Sequence, residues 1–215
     1  MLGQSIKQNA IGLSLFAIVT AGIIAITQTL TEEKITANIH IAKSKALYEI
    51  LPSESHDNVL LDDTLVITDT SLIADEGQGE AFVARKNGQA IGVILPTIAS
   101  QGYTGKIHSI VGILADGSVA GVRIIQHRET PGLGDKVELK KSPWVLSFNG
   151  KSLDNPSTNN WQVKKDGGAF DQFTGATITP RAVLASVRAA LQYFKTNRDT
   201  LLAPKSIATA DQAAQ

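Results

Sequence analysis

Two short segments of the sequence combine glycine density with polar side chains that could hold a ligand. The first covers residues 127–136 (HRETPGLGDK), and the second covers residues 164–180 (KKDGGAFDQFTGATITP). Glycine-rich turns let backbone N–H groups approach a ligand closely, because no side chain stands in the way. Both segments follow runs that are predicted to be β-strands, and loops after strands often carry binding sites. These two segments therefore form the candidate site.

The second segment leads into a predicted helix. Thr179-Pro180 is typical of a helix start, with a capping hydroxyl followed by proline at the first helical position. A helix N-terminus has unpaired N–H groups and a partial positive charge, so it favours a phosphate. Thr174 and Thr177 offer two more hydroxyls at this point. The pattern allows an anion site, although an ordinary capping turn explains the spacing equally well.

Composition excludes several other kinds of chemistry. The sequence has no cysteine, which excludes disulfides, thiolate zinc sites, iron–sulfur ligation and c-type haem attachment. Its 4 histidines show no helical spacing or acidic cluster, so we predict no metal site. His127, close to Glu129 and Asp135, has no nucleophile motif beside it, which argues against a hydrolase. With 20 basic and 20 acidic residues, no charge excess attracts nucleic acid.

Short β-rich runs dominate the sequence from about Val59 onward. AFVARK and QAIGVILPT flank Asn87-Gly88, which is a strong hairpin signal. KIHSIVGIL and VAGVRIIQH flank residues 115–118 (ADGS) in the same way. The predicted final helix has an apolar stripe. The stripe comprises Val183, Leu184, Val187, Leu191 and Phe194. The sequence thus predicts an α+β fold in which helices pack on an antiparallel sheet.

An apolar segment lies near the N-terminus. No residue between Lys7 and Glu32 is charged, and residues 10–26 are almost wholly apolar, which predicts one transmembrane helix. A cleaved signal peptide is the alternative, but the positive region is thin and no clear cleavage site follows. The positive-inside rule, applied to Lys7 and to Glu32 and Glu33, places the N-terminus in the cytoplasm. In a bacterium, the remaining domain would then be periplasmic.

The predicted organisation has four parts. Residues 1–31 form the cytoplasmic N-terminus and the transmembrane helix, and residues 32–58 form a stalk helix and a connection, with Pro52 ending the helix. Residues 59–202 form a single domain, and residues 203–215 form a disordered tail. We expect the stalk to be a plain spacer.

Residues 171–177 (DQFTGAT) resemble the flavinylation motif of the FMN-binding domain family, which reads Asp, two free positions, Ser or Thr, then Gly-Ala-Thr. In that family a magnesium-dependent flavin transferase uses FAD to attach FMN to the last threonine through a phosphoester. The resemblance implies covalent FMN on Thr177. The other implied contacts in this motif are Asp171, Thr174, Gly175 and Ala176.

Two more segments are similar to recurring stretches of the same family. Residues 129–134 (ETPGLG) look like the signature that lies against the flavin ring, and residues 102–105 (GYTG) look like a third stretch. We expect Glu129 and Thr130 to bond the polar edge of the ring, and the glycines to leave room for it. The candidate contacts here are Glu129, Thr130, Gly132, Leu133, Gly134 and Tyr103. Tyr103 could instead cap the apolar core.

With its anchor and its length, the chain most resembles the family of G subunits from the Rnf (or Rsx) electron-transport complexes of proteobacteria. The C subunits of the sodium-pumping NADH:quinone reductases are relatives. The resemblance implies an inner-membrane electron carrier that works between ferredoxin and NAD and does not catalyse turnover alone. The implied partners are the other subunits of the complex and a flavin transferase. The alternatives are a flavin-free assembly module and the equivalent protein of a quinone reductase.

Overall fold

The structure is a computed structural model that describes residues 2–204, apart from the side chains of residues 2–5, 36, 40 and 42. It contains two compact units, Met1–Ala42 and Lys43–Gln215. The predicted disordered tail lies outside the described residues from residue 205 onward.

Helix α1 (Leu2–Ile50) contains the predicted anchor. It is the one helix in the described part of the chain that is long and apolar enough to cross a membrane. Large apolar side chains such as Ile11, Phe16 and Ile23 are exposed on it, as a helix surrounded by lipid requires. The hydroxyls of Thr20 and Thr27 donate to carbonyls four residues earlier, so these polar groups are satisfied within the helix.

The second unit is built on a sheet of five antiparallel strands in sequence order. The strands are β1 (Thr64–Ile67), β2 (Gly79–Lys86), β3 (Gln89–Ala99), β4 (Ile107–Leu114) and β5 (Val119–Gln126). Both predicted hairpins are confirmed. In the first, Asn87 and Gly88 have φ of 52° and 77°, the conformation of a two-residue hairpin turn. The short strand β1, at the edge of the sheet, was not predicted from the sequence.

A short helix α2 (Thr70–Ile73) follows β1, and the long helix α3 (Ile178–Leu201) packs against one face of the sheet. All five residues of the predicted apolar stripe of α3 are buried. The predicted start of α3 is wrong. The helix begins at Ile178, Thr177 holds the N-cap position, and Thr179 is fully buried inside the first turn. Thr179 is no cap because its hydroxyl donates to the carboxylate of Glu129.

Short 3-10 helices fill the region between β5 and α3. They are Gly134–Val137, Pro143–Phe148, Thr158–Asn160 and Lys164–Asp166. The first glycine-rich segment follows β5, as predicted. The second follows the 3-10 turn Thr158–Asn160 and not a strand, so that part of the prediction is wrong. Aromatic packing of Trp144, Phe148 and Phe170 anchors this irregular region to the core, which gives it a fixed shape without strand pairing.

The last turns of helix α1 pack on the other face of the sheet. Ala46, Leu47 and Ile50 form a second apolar cluster with side chains that include Phe82 and Ile94. Because strand residues alternate between faces, β2 and β3 supply apolar side chains to both clusters. The expectation of a plain spacer is therefore wrong for this part of the stalk, which belongs to the compact unit that begins at Lys43.

A pair of glycines makes room for the end of helix α1. Gly112 and Gly121 are register partners on β4 and β5, and the side chain of Ile50 lies over them. A Cβ atom on Gly112 would lie 2.2 Å from Cγ2 of Ile50, and one on Gly121 would lie 3.3 Å from Cγ1. An ion pair between Arg123 and Glu49 at 2.9 Å flanks this contact. The two glycines thus form a socket for Ile50.

Substitution of the socket glycines should reduce stability in a graded way. We expect Gly112→Ala to lower the free energy of unfolding by about 1–3 kcal/mol, the usual cost of overpacking, and Gly121→Ala to cost less. The measurement is urea denaturation of the full chain in detergent. In an Ile50→Ala background the Gly112→Ala penalty should shrink, since the clashing methyl group is gone. An unchanged penalty in that background would contradict the socket.

Candidate cofactor-binding site

The loops at one end of the sheet and the start of helix α3 surround a cavity of about 280 Å³. The cavity is lined by Tyr103, Glu129, Thr130, Leu133, Gly134, Gly175, Ala176, Thr177, Ile178 and Thr179. The structure thus brings together residues from all three segments singled out in the sequence. Ile178 and Thr179 were not predicted as site residues, because their residue types and spacing indicated only a helix start.

The topology explains why these segments meet. In an antiparallel sheet, the end of β3, the start of β4 and the end of β5 all lie at the same end of the sheet. Residues 102–105 lie between β3 and β4, and residues 127–134 follow β5 directly. Helix α3 packs against β3 and β4, and its first turn reaches Glu129.

Glu129 joins the three segments. It is 4% exposed, and its two carboxylate oxygens accept four hydrogen bonds. Oε1 accepts from the backbone N–H of Thr104 at 3.0 Å and from its hydroxyl at 3.1 Å. Oε2 accepts from the backbone N–H of Tyr103 at 3.3 Å and from the hydroxyl of Thr179. The single hydroxyl hydrogen of Thr104 is shared with the carbonyl oxygen of Arg128, so the backbone N–H groups and Thr179 are the undivided donors to this carboxylate. These bonds give Glu129 a role in holding the site together.

Two glycines allow the chain to close around this carboxylate. A Cβ atom on Gly134 would lie 2.9 Å from Cβ of Glu129 and 2.9 Å from the hydroxyl oxygen of Thr179. A Cβ atom on Gly102 would lie 2.3 Å from the carbonyl oxygen of Gly105 and 2.9 Å from Oε1 of Glu129. The close packing around Glu129 therefore requires glycine at both positions. Gly132, a predicted contact, does not line the cavity; its φ of 76° places it in a turn beside it.

Hydrogen bonding keeps Glu129 ionised. Burial raises the pKa of this carboxyl, but the bonds from Thr179, Thr104 and Tyr103 outweigh it, and the pKa lies below the ordinary glutamate value. Both ring nitrogens of the adjacent His127 also form hydrogen bonds. Its Nδ1 accepts from the backbone N–H of Glu129 at 2.9 Å, so Nε2 carries the proton that is donated to Glu138 at 2.6 Å. His127 therefore serves to hold the loop.

The three threonines of the second segment have different environments. Thr177 is half-buried in the cavity wall, and its hydroxyl makes no capping bond to the helix. Thr179 is buried and bonded to Glu129. Thr174 is exposed and does not line the cavity. Thr177 thus combines a position in the cavity with a hydroxyl beside the unpaired N–H groups of helix α3, where a phosphate is stabilised.

The loop that carries Thr177 is fixed at several points. The indole N–H of Trp144 donates to the carbonyl of Asp171 at 2.7 Å, and the ring of Phe173 packs edge-on against Trp144 at 5.2 Å. The side chain of Asp171 does not line the cavity; it pairs with Lys164 at 2.6 Å. Asp171 therefore helps to anchor this loop. The threonine is presented on an ordered loop.

An apolar rim surrounds the cavity. Tyr103, Leu133 and Ile178 are 66%, 41% and 45% exposed, and all three line it. Exposed apolar groups that converge on a cavity with a few polar groups are typical of a ligand site. The exposure of Tyr103 also removes the alternative that it caps the core. The residues around the cavity would fit a flat, largely apolar ring.

The size of the cavity limits how much of a ligand it can enclose. Its volume of about 280 Å³ lies at the small end of ligand pockets, so part of a flavin would remain in solvent. A larger cavity of about 380 Å³ lies on the other side of Ile178. It contains none of the predicted contacts, and small side chains of helix α3 such as Ala182 and Ala185 form much of its wall.

Comparison with known proteins agrees with this geometry. Residues 102–192, which include every segment around the cavity, match the family described as FMN-binding domain. The second unit therefore contains an FMN-binding domain. Residues 1–50, which include helix α1, match the family described as RnfG N-terminal region.

Relatives over nearly the whole chain share one name, that of the G subunit of the ion-translocating oxidoreductase complex. The chain is 49% identical over 205 residues to the Pseudomonas aeruginosa (strain UCBPP-PA14) protein, covering 95% of this chain and 96% of that one. It is 42% identical to the Vibrio vulnificus protein and 43% identical to the Shewanella loihica protein, each covering 93% of this chain and 94% of the relative. The chain belongs to the family of G subunits of ion-translocating oxidoreductase complexes.

Loss of one donor to Glu129 should weaken the fold in a pH-dependent way. Because the pKa of Glu129 is lowered in the folded chain, its stabilising effect is complete above the ordinary glutamate pKa and is lost as pH falls through the folded value. We expect Thr179→Val to lower the free energy of unfolding at neutral pH by about 1.5–3 kcal/mol. The difference from the unmodified chain should shrink in acid, measured by urea denaturation at several pH values.

The matched control for this experiment is Thr196→Val, at an exposed hydroxyl that bonds only to its own helix. It should change stability by less than about 0.5 kcal/mol at every pH. A Thr179→Val effect that is the same at acid and neutral pH would show that the carboxylate is not the partner that matters.

Proposed function

We propose that this chain is an electron-carrier subunit of a membrane-bound, ion-translocating electron-transport complex, with FMN joined by a phosphoester to Thr177. The observation that carries the proposal is the meeting of three separate segments around one apolar-rimmed cavity with Thr177 in its wall. The printed names of the relatives support the complex, and the matched domain supports FMN. When bound, FMN supplies the capacity to accept and pass on one or two electrons.

The attachment step is a group transfer by a separate flavin transferase. The Thr177 oxygen forms a bond to the FMN phosphorus while the pyrophosphate bond of FAD breaks; AMP leaves and the hydroxyl proton is released. The resulting diester keeps one negative charge next to the N-terminus of helix α3. Arg181, one turn further along the helix, is held by Asp166 through two bonds of 2.7 Å, which joins the base of the loop to the helix.

The other proposed site residues line the cavity or shape the loop that carries Thr177. Tyr103, Thr130, Leu133 and Ala176 line the cavity and would contact the ring or the ribityl chain. Gly175 has a φ of 82° and gives the turn that brings Thr177 to the cavity. Thr174 and Asp171 would act through the attachment loop, and through its recognition by the transferase.

Thr177→Ala should abolish covalent flavin. With the full chain co-expressed with a flavin transferase, we expect intact-protein mass spectrometry to show one added FMN minus water, located by peptide mapping on the peptide that contains Thr177. Thr177→Ser should keep the added mass because it keeps a hydroxyl. Thr179→Ser, whose hydroxyl stays buried, is the control for a neighbouring threonine and should also load.

An unmodified peptide in the presence of a working transferase would support the flavin-free assembly module instead. Modification that persists in Thr177→Ala would move the attachment to another hydroxyl. The quinone-reductase alternative keeps the same attachment chemistry, and the names of the relatives favour the ion-translocating oxidoreductase complex over it.

For location, the proposal places helix α1 in the bacterial inner membrane, the N-terminus in the cytoplasm and the FMN-binding domain in the periplasm. The supporting features are the span itself, Lys7 before it, and Glu32 and Glu33 after it. The proposed partners are the other subunits of an Rnf-type complex, with electrons moving between ferredoxin and NAD.

The absence of cysteine makes this orientation directly testable. A single cysteine at Asn159, which is exposed in the FMN-binding domain, should react with a membrane-impermeant maleimide in intact spheroplasts. A cysteine at Gln8, which is exposed before the span, should react only after the membrane is permeabilised. The reverse labelling pattern would place the domain in the cytoplasm.

A further inference from the structure

Glu129 differs from the other carboxylates near the cavity in how its charge is balanced. Asp171 pairs with Lys164, and Asp166 pairs with Arg181. The donors to Glu129 are two backbone N–H groups and two hydroxyls, all of them neutral. Among the ion pairs of residues 2–204, none includes Glu129. Its negative charge is therefore held in the cavity wall without a neutralising cation.

We propose that Glu129 lowers the midpoint potential of the bound flavin by keeping a fixed negative charge in the cavity wall. This inference rests on the proposed function, since it concerns FMN held at Thr177. Glu129 is a positioning residue for the loops, and its charge has, in addition, the proposed electrostatic effect on the flavin. Its burial removes it from solvent, so the charge is weakly screened at the ligand.

The direction of the effect follows from the charge balance of reduction. Above the pKa of the reduced ring, two-electron reduction takes two electrons from the donor and one proton from solvent, and leaves one more negative charge on the ring. A nearby fixed carboxylate opposes that gain of negative charge. The oxidised form is therefore favoured, which corresponds to a lower potential.

None of the groups that bond to the Glu129 carboxylate carries a positive charge. On its own segment, Nδ1 of His127 accepts from the backbone N–H of Glu129 and Nε2 contacts the carboxylate of Glu138, while the neighbouring Arg128 is exposed, so that solvent screens its charge. From helix α3, Thr179 contributes a neutral hydroxyl, and Arg181 is engaged with Asp166. From the β3–β4 connection, the contacts are the backbone of Tyr103 and the backbone and hydroxyl of Thr104.

The test is a spectroelectrochemical titration of the flavin-loaded full chain in detergent, with loading first established by mass. We expect Glu129→Gln to raise the potential, so that the equilibrium constant for reduction by a fixed mediator increases roughly tenfold or more, as loss of a weakly screened charge predicts. The matched control is Glu80→Gln, which removes a carboxylate whose side chain is 60% exposed and pairs with Lys43. It should change that constant by less than about twofold.

The Thr179→Val variant distinguishes the effect of the Glu129 charge from the effect of loop geometry. It removes one bond that holds the loops but leaves the carboxylate ionised, so its shift in potential at neutral pH should be smaller than that of Glu129→Gln. Because loss of this donor raises the pKa of Glu129, the potential of Thr179→Val should rise more steeply in acid than that of the unmodified chain. If Glu129→Gln does not fold or does not retain flavin, the comparison of Thr179→Val with the unmodified chain tests the electrostatic role of Glu129.

Each outcome bears on one of the two proposals. An unshifted potential in loaded Glu129→Gln, or identical acid slopes for Thr179→Val and the unmodified chain, would overturn the electrostatic role. A shift in Thr179→Val at neutral pH as large as that in Glu129→Gln would assign the effect to loop geometry and overturn it too. Absence of FMN from Thr177 in the unmodified chain would instead remove the proposed function itself.

Discussion

The site depends on one buried carboxylate. The four hydrogen bonds of Glu129 join the β3–β4 connection, the loop after β5 and the first turn of helix α3. Burying a charge is costly unless donors replace water, and both oxygens of this carboxylate have donors. Without this set of bonds, the three segments would lose the common point around which the cavity forms.

The hydrogen bonds of Glu129 also give Thr177 and Thr179 different roles. Because Thr179 must point inward to reach Glu129, the helix begins before it, at Ile178. Thr177 then occupies the N-cap position with its hydroxyl free of a capping bond. The same arrangement requires glycine at residue 134, where a side chain would collide with both partners. Helix geometry therefore separates the proposed attachment threonine from the structural one within a single short motif.

Sequence alone predicted the elements whose signals are local. The Asn87-Gly88 hairpin and the apolar stripe of helix α3 follow from turn chemistry and helical period, and both are confirmed. The role of Glu129 could not be predicted, because its partners lie 25 and 50 residues away along the chain. The packing of Ile50 against Gly112 is equally non-local. The short strand β1 was missed because four residues give too little alternation to recognise.

The small, open cavity gives a physical reason for a covalent link. A ligand gains affinity mainly by burying apolar surface, and about 280 Å³ encloses only part of a flavin. A deeper pocket would hold the cofactor more tightly, but it would also separate the ring from redox partners. The proposed phosphoester at Thr177 would resolve this conflict, since attachment would no longer depend on burial. The ring could then stay exposed near the rim formed by Tyr103, Leu133 and Ile178, where electrons could enter and leave.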